Sequence, residues 1–486
     1  HLPPMKTYQQ FINGALVPAR PNQEWIEVEN PYTGQIVSRV PKGDDADALA
    51  ALDAAKKAQP AWAAKSAPER AGFLKRFAAL IREHRVELAK ILVEEQAKIL
   101  PLAQVEIDFT ADYFDYYAGW ARVYEGEIIN SDDPNENIFL FRQPIGVVAG
   151  ICPWNFPFFV MARKVAPALL TGCTIVVKPS SNTPNTTFAF ANLVAQHVAD
   201  LPKGVLNIVS GAGRTLGNTL VSSPLTDMVT LTGSVEAGQE IIRASAANVT
   251  KVSLELGGKA PALVFPDADL DLAVTSIVNS RVIFSGQVCN CAERAYVHKS
   301  VFDEFVAKFT AAMKAVPFGD PFGEGIVYSS QIDRVQQERI DALVGRAKAA
   351  GGEIVTGGKK AVCPKNGTGY FYEPTVILGA KQDSEIVQKE TFGPIIPVLP
   401  FSDYDEAIAL ANDSDFGLTS SVYTKNVSTT LRAIKDLKFG ETYVNRHNFE
   451  GMQGFHAGWR KSGIGGADGK HGMLEYLQTH VAYVKM

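Results

Sequence analysis

Ile145-Gly146-Val147-Val148-Ala149-Gly150-Ile151-Cys152, a break at Pro153-Trp154-Asn155, a segment of helical length, and then Thr174-Ile175-Val176-Val177-Lys178: this stretch decides the fold. Two short apolar runs on either side of a helix-length segment form a β–α–β unit, the rhythm of a parallel sheet. Reading onward, apolar runs at 204–210, 226–231 and 261–265 alternate with further helical stretches in the same way. Beyond Cys289 the rhythm resumes, with helices expected near 300–315, 333–350, 403–412 and 427–437. Strands are expected near 353–356, 371–378, 394–400 and 420–424. Reading back, 43–125 is helical. There Ser66, with Pro68 in the first turn and Glu69 three residues on, predicts a capping box. Phe73, Leu74, Phe77, Leu80 and Ile81 then fall on one helical face. Residues 5–40 alternate in short segments around the turns Asn13-Gly14, Asn30-Pro31 and Thr33-Gly34, and read as strands. Two α/β domains thus flank the segment from Glu255 to Cys289, and the cleft between them is the expected site.

Composition bounds the function. A chain of 486 residues is too long for one simple core, so two or three domains are expected. Hydrophobic residues at 46% and charged residues at 20% are the balance of a soluble globular enzyme. A net charge of -5 points away from nucleic acid and from anionic membrane surfaces. The five cysteines, odd in number and scattered, argue against a disulfide framework and for a reducing compartment. The best candidate for a membrane span, 145–177, is broken by Trp154, Asn155, Arg163 and Lys164. No basic-then-apolar leader is seen, and His1-Leu2-Pro3-Pro4 ahead of Met5 reads as a remnant of expression, so a cytoplasmic enzyme is expected.

Chemistry concentrates at Gly286-Gln287-Val288-Cys289-Asn290-Cys291. Alone, Cys289 reads better as a buried core thiol than as a reactive one. Half of a metal site is a further option, but no His/Cys cluster at zinc spacing accompanies it, and no metal is expected. Three other stretches supply what a cysteine acting on a carbonyl needs. Pro153-Trp154-Asn155-Phe156-Pro157 puts an amide on a stiff turn, able to donate to an oxyanion. Leu254-Glu255-Leu256-Gly257-Gly258-Lys259 puts a carboxylate at a Gly-Gly turn, able to act as general base. The third is Lys389-Glu390-Thr391-Phe392-Gly393-Pro394. Lys178-Pro179-Ser180 and Thr232-Gly233-Ser234-Val235-Glu236-Ala237-Gly238 each follow a strand and open a loop. The second of these brings backbone N–H groups to a helix N-terminus, where a pyrophosphate is stabilised. Gly211, Gly213 and Gly217 make another close-approach loop.

In order and spacing these stretches resemble the NAD(P)-dependent aldehyde dehydrogenase superfamily, from Phe11-Ile12-Asn13-Gly14 to the C-terminus. The resemblance implies an α/β fold with two Rossmann-like parallel-sheet domains and a small oligomerisation sheet. It implies a cofactor-binding domain from 5–124 and 146–256, a catalytic domain at 257–465, and oligomerisation segments at 125–145 and 466–486. Ile138-Phe139-Leu140-Phe141 and Val481-Ala482-Tyr483-Val484 would be its exposed strands, giving a dimer of dimers. By the same resemblance Cys289 attacks the aldehyde, Asn155 holds the oxyanion and Glu255 activates the water that releases the acid. NAD or NADP would lie along Trp154, Lys178, Ser180, Ser181, Gly213, Arg214, Gly217, Gly233, Ser234, Gly238, Glu390 and Phe392. Lys178 would meet the adenosine ribose, Ser234 the pyrophosphate and Glu390 the nicotinamide ribose.

The sequence departs from the family pattern in three places. Phe284 stands where Asn is common, which predicts a narrower mouth to the substrate tunnel, and Lys389 replaces a frequent Glu. The usual Lys-Pro-Ser-Glu reads Lys178-Pro179-Ser180-Ser181, which removes a charge that would repel a 2′-phosphate; with Arg214 nearby, NADP is expected to be accepted. The stretches 158–164, 288–291 and 448–460 look closest to the lactaldehyde and glycolaldehyde dehydrogenase branch. Arg163, Asn290, Glu450 and His456 are therefore candidates to hydrogen-bond a hydroxyl or carbonyl beside the aldehyde, although Arg163 and His456 also read as an interdomain ion pair and a loop hydrogen bond. A CoA-acylating relative would lack Glu255, and a non-catalytic relative of the same fold would not keep Cys289, Asn155 and Glu255 together.

Overall fold

Val147–Ile151 and Thr174–Lys178 form adjacent parallel strands in the computed structural model, which describes residues 5–486. The His1–Pro4 segment lies outside the described residues. Between the two strands runs the helix Pro157–Thr171, buried at all 15 positions. Pro157 opens it with a preset φ, and Gly172, at φ 97°, ends it in the left-handed conformation that favours glycine. The eight-stranded sheet runs 463–464, 251–255, 228–232, 147–151, 174–178, 206–208, 10–12, 15–17. Its five central strands are parallel and carry the doubly wound order of a dinucleotide fold. The order reverses between 147–151 and 228–232, so the crevice opens at the C-terminal ends of those two strands.

A seven-stranded sheet follows, in the order 353–356, 375–378, 395–401, 292–298, 260–264, 419–423, 441–444, parallel except at its first strand. The run expected at 261–265 belongs here, pairing with 292–298 rather than extending the first sheet. The strand expected over 371–378 is two pieces, Phe371–Tyr372 and Thr375–Leu378, because Pro374 between them has no N–H to give a ladder. Leu256 to Lys259 links the two sheets directly. Gly258, Cys289 and Glu390 all precede strands of the second sheet, so the C-terminal edge of one sheet meets the N-terminal edge of the other.

A three-stranded antiparallel sheet stands apart, built from Glu127–Ile129, Glu136–Pro144 and Leu477–Lys485. Leu140 pairs with Val481 and Ile138 with Tyr483. Ile128, Phe141, Tyr483 and Val484 are exposed on it. The helical region resolves into Asp45–Ala64, Ala67–Glu83, Arg85–Gln96 and Leu100–Ala118. Ser66 caps the second of these by accepting from the Glu69 N–H at 3.3 Å, but the Glu69 carboxylate turns to the Ser66 hydroxyl at 3.2 Å. The reciprocal half of the expected capping box is instead made at Asp44 and Asp47.

Candidate active site

Cys289 is positioned by a sharp reversal after the helix Leu270–Val282. Phe284 and Ser285 take left-handed φ values of 45° and 57°. A Cβ on Gly286, itself at φ 79°, would fall 2.1 Å from the Gly393 carbonyl, so only glycine permits this approach. Buried Arg281 donates to Gly286 O at 2.5 Å and Ala292 O at 2.8 Å, spanning the loop from both sides. Gln287 donates to Phe284 O at 3.1 Å and accepts from the Ile332 N–H at 3.0 Å, so it clamps the loop rather than facing the cleft. Phe284 was expected to narrow the tunnel mouth. The reversal sends its ring inward instead, 3% exposed, against Trp154 and Phe156. Cys289 is half-buried, while Cys291 is buried, and burial pushes the Cys291 thiol up to about 12.

Asn155 faces this loop from the end of the first sheet, its Nδ2 donating to Gln287 O at 3.1 Å. The turn that carries it is held from below. Gln96 donates to the carbonyls of Trp154 and Asn155 at 2.6 and 2.9 Å, and Lys98 donates to the Asn155 carbonyl at 2.7 Å. Lys98 is fully buried, paired with Glu106 at 2.5 Å and set 3.7 Å from the Phe156 ring centroid. Glu106 in turn accepts the N–H groups of Phe158 and Phe159, filling the helix N-terminus that has no side-chain cap of its own.

Glu255 ends the strand Lys251–Glu255 in a nest of donors. Arg163 lies 3.2 Å away, Lys164 and His456 each 3.8 Å, and the Thr232 hydroxyl donates at 3.1 Å. Burial alone would raise this carboxyl, but the three cations outweigh it and hold it below its ordinary range. Arg163 read either as a substrate contact or as an interdomain ion pair; at 3% exposure it is the hub of the carboxylates. It meets Glu450 at 2.6 Å, Asp468 at 3.0 Å and the Tyr113 hydroxyl at 3.1 Å as well as Glu255. Glu450 also accepts from Asn290 at 2.5 Å, and despite burial His456 and Arg163 hold its carboxyl down to about 2. His456, 2% exposed, meets Glu441 at 2.7 Å, and the charges of Glu441 and Glu450 hold its imidazole well above the ordinary range despite burial. Asn290, next to Cys289 in the chain, thus holds Glu450, and Glu450 is linked to His456 through Arg163 and Glu255.

The crevice side gathers the remaining predicted residues. The Lys178 ammonium is buried at the end of its strand, its one hydrogen bond a long 3.4 Å contact to Pro179 O, and burial pulls it down to about 8. Among the described residues no carboxylate pairs with it. Ser180 accepts from the Asn182 N–H and Ser181 donates to Gly211 O at 3.3 Å. Arg214 is exposed on the turn Gly213–Gly217, where Gly213 has open space and Gly217 faces the Lys178 stem. Gly233 leads to Ser234, whose hydroxyl caps the helix Val235–Ser245 by accepting from Ala237 N–H at 3.1 Å. Gly238 does not line the crevice. A Cβ there would lie 2.7 Å from Leu256, so it serves helix-to-strand packing. Glu390 accepts the Gly258 N–H at 2.8 Å, and burial, then the charge of Glu293, pushes it up to about 8. Trp154 and Phe392 meet edge-on at 5.5 Å, closing that end. An unpaired buried ammonium and a half-buried carboxylate, spaced along open glycine turns at a topological switch point, fit a dinucleotide with its ribose hydroxyls.

Several residues that build this geometry gave no sign in the sequence. Glu441, Asp468 and Tyr113 come from three distant elements and carry no local motif. Glu106 left one trace, a charge on an otherwise apolar helix face, whereas Lys98 lies in the loop before that helix. Lys259, Arg281 and Glu293 form a buried network, with Glu293 at 2.9 and 2.6 Å from the two cations, that ties the Cys289 loop to the Glu390 loop. Among the described residues no group of three His, Cys, Asp or Glu side chains is arranged to hold a metal ion, and no helix is long and apolar enough to cross a membrane.

The description "Aldehyde dehydrogenase family" matches residues 17–482. The chain is similar to the lactaldehyde dehydrogenase of Escherichia coli (strain K12), 54% identical over 479 residues and 98% of each chain. The crystal structure of lactaldehyde dehydrogenase from Escherichia coli matches with a TM-score of 0.96, over 99% of this chain and 100% of that one. It is also similar to the 3,6-anhydro-alpha-L-galactose dehydrogenase of Vibrio sp. (strain EJY3), 42% identical over 480 residues and 99% of each chain. The structure of betaine aldehyde dehydrogenase from Staphylococcus aureus in complex with NAD+ matches at 34% identity and a TM-score of 0.95, over 98% of this chain and 94% of that one.

Proposed function

The chain belongs to the aldehyde dehydrogenase family, and on that premise we propose that its substrates are small 2-hydroxy aldehydes, lactaldehyde and glycolaldehyde among them. As a member it is an NAD(P)-dependent enzyme that oxidises an aldehyde to the carboxylic acid. The observation that carries the substrate reading is the buried polar set that starts at Asn290, next to Cys289, and runs through Glu450 and Arg163 to Glu255 and His456. A site built to hydrogen-bond a hydroxyl leaves buried polar groups unpaired when that hydroxyl is missing, and rejects the analogue. The likeness to a lactaldehyde dehydrogenase supports the same reading.

In the reaction, Cys289 adds its sulfur to the aldehyde carbon. The oxyanion accepts from the Cys289 N–H and from the Asn155 amide hydrogen that Gln287 leaves free. NAD or NADP, when bound along the crevice, supplies the hydride acceptor that makes the adduct a thioester. Glu255, ionised by its three cations, takes a proton from the water that attacks this thioester, and Cys289 departs as the acid is released. The short neutral Ser181 and the exposed Arg214 support acceptance of NADP as well as NAD. The exposed apolar strands 136–144 and 477–485 support assembly as a dimer of dimers. Five free cysteines support a cytoplasmic home.

The test is a comparison of kcat/KM for lactaldehyde, glycolaldehyde and propanal with purified protein. Lactaldehyde is expected to exceed propanal by at least about a hundredfold, in line with sites that read a hydroxyl. Equal values would overturn the substrate reading.

A further inference from the structure

The short helix Gly469–Leu474, just ahead of the outlying strand Leu477–Lys485, begins after Asp468. An aspartate in that position ordinarily accepts from the first N–H groups of the helix. Asp468 makes no such cap. Its backbone stands at φ 75° and ψ 155°, a conformation held almost only by glycine unless the surroundings impose it. The chain on either side is pinned. Ala467 bridges His456 in both directions at 2.7 and 2.9 Å, the Gly469 N–H donates to Met452 O at 2.8 Å, and the Tyr117 hydroxyl donates to Gly469 O at 3.2 Å. The Asp468 carboxylate is turned instead into the buried cluster around Arg163, where the Tyr113 hydroxyl donates to its Oδ1 at 2.6 Å.

Arg163 is shared unequally among its carboxylates. Asp468 takes one edge of the guanidinium, with Nη2 donating to Oδ2 at 3.1 Å and Nε 3.0 Å from Oδ1. Glu450 accepts from Nη2 at 2.6 Å. Glu255 is left with Nη1 alone, at 3.2 Å the longest of these contacts. A two-point grip on arginine is the stronger arrangement and a single contact the weaker one. We infer that Asp468 is a positioning residue for the general base: by gripping Arg163 along that edge and sharing its charge, it leaves Glu255 loosely held and basic enough to take a proton from water. Arg163 is the strongest of the three cations that hold the Glu255 carboxyl low. With the Asp468 charge gone, the guanidinium has less to hold it away, closes on Glu255 and makes it a weaker base. The step affected is deacylation. There water gives its proton to Glu255 as its oxygen bonds to the thioester carbon, and the C–S electron pair returns to Cys289. Hydride transfer precedes that step and is unaffected.

The inference rests on Glu255 as the base of the proposed reaction, and the experiment separates the two. Burial pushes the Asp468 carboxyl up to about 6, so single turnovers of the full chain with lactaldehyde or propanal are run near pH 8, where it is ionised. Stopped flow reads cofactor reduction and rapid quench reads acid release, in the unmodified protein, in Asp468→Asn and in Glu255→Gln. In Asp468→Asn, reduction is expected within about twofold of the unmodified rate and acid release at least about tenfold slower, a part of the about 10²–10⁴ that a general base contributes. Hydroxylamine, which attacks a thioester without a general base, should restore product release as the hydroxamate. Asp468→Ser, which also removes the charge, takes the place of Asp468→Asn if that variant does not fold. Acid release at the unmodified rate would overturn the inference, as would an equal slowing of both steps or a slow release that hydroxylamine does not restore. If Glu255→Gln itself releases acid at the unmodified rate, the base assignment falls and the inference with it; a slow Glu255→Gln beside a fast Asp468→Asn removes the inference alone.

Discussion

Replacing Glu255 by Gln separates the two halves of the proposed reaction. The variant keeps the shape of the side chain and its Thr232 contact, and Arg163 keeps Glu450 and Asp468 as partners, so the Cys289 loop and the crevice are undisturbed. What is lost is a base that three cations hold ionised throughout the neutral range. General-base assistance contributes about 10²–10⁴ in rate, or about 3–5.5 kcal/mol of barrier. Reduced cofactor should therefore appear in a stopped-flow burst of about one equivalent per subunit, followed by a steady state about 10²–10⁴ slower. The pH profile carries the sign of the shift. A carboxyl held low is deprotonated above its depressed pKa and loses activity only as pH falls through that value. The acid limb of the unmodified enzyme should therefore lie below the usual carboxylate range and vanish in Glu255→Gln. Steady-state turnover within tenfold of the unmodified enzyme, with no burst, would refute Glu255 as the base.

Other variants test other parts of the molecule. Ser181→Glu should move the NAD-to-NADP ratio of kcat/KM at least about tenfold towards NAD by restoring a charge against the 2′-phosphate, about 1.4 kcal/mol; a ratio already above about a hundred in the unmodified enzyme would refute the role of Ser181. Lys98→Met leaves Glu106 buried without its cation, and breaking such a pair costs about 3–5 kcal/mol. Lys98→Met with Glu106→Gln should recover most of that loss in thermal denaturation, and simple additivity would refute the pairing. Phe141→Asp with Tyr483→Asp should reduce the assembly on size exclusion with light scattering, since both side chains are exposed on the outlying sheet; an unchanged mass would refute that interface.

The parallel strands were legible where both faces are apolar. Val147–Ile151 and Thr174–Lys178 fall within or on the expected runs because nothing polar interrupts them. Ala292–His298 gave no such sign, since it carries Glu293 and Arg294. Those charges enter a central strand only because Lys259 and Arg281 neutralise the first and backbone carbonyls take up the second, partners that the sequence does not reveal. Lys251–Glu255 and Glu441–Val444 were likewise hidden, one read only as a motif and the other an edge strand half-buried throughout. Cys289 and Asn155 sit in turns, and Glu255 ends a strand just before a Gly-Gly turn, so each carries a local pattern. Arg163 was left between a substrate contact and an ion pair, because a cation in sequence does not show which carboxylates will surround it. Phe284 was misread because a left-handed pair of residues reverses the chain and turns its side chain through the wall of the loop.

The glycine approach of Gly286 to Gly393 has a consequence for how this enzyme can change. The two loops that bracket the reaction touch main chain to main chain, with no side chain between them. Side chains hop between rotamers in picoseconds to nanoseconds, whereas this spacing is set by bonded geometry and held by the Arg281–Glu293–Lys259 network. The tolerance on the thiol's position is therefore that of a backbone, not of a rotamer. Random libraries at Asn290, Glu450 or Phe449 can alter which aldehyde is accepted without moving the sulfur, whereas libraries that include 286 should return only glycine among active clones.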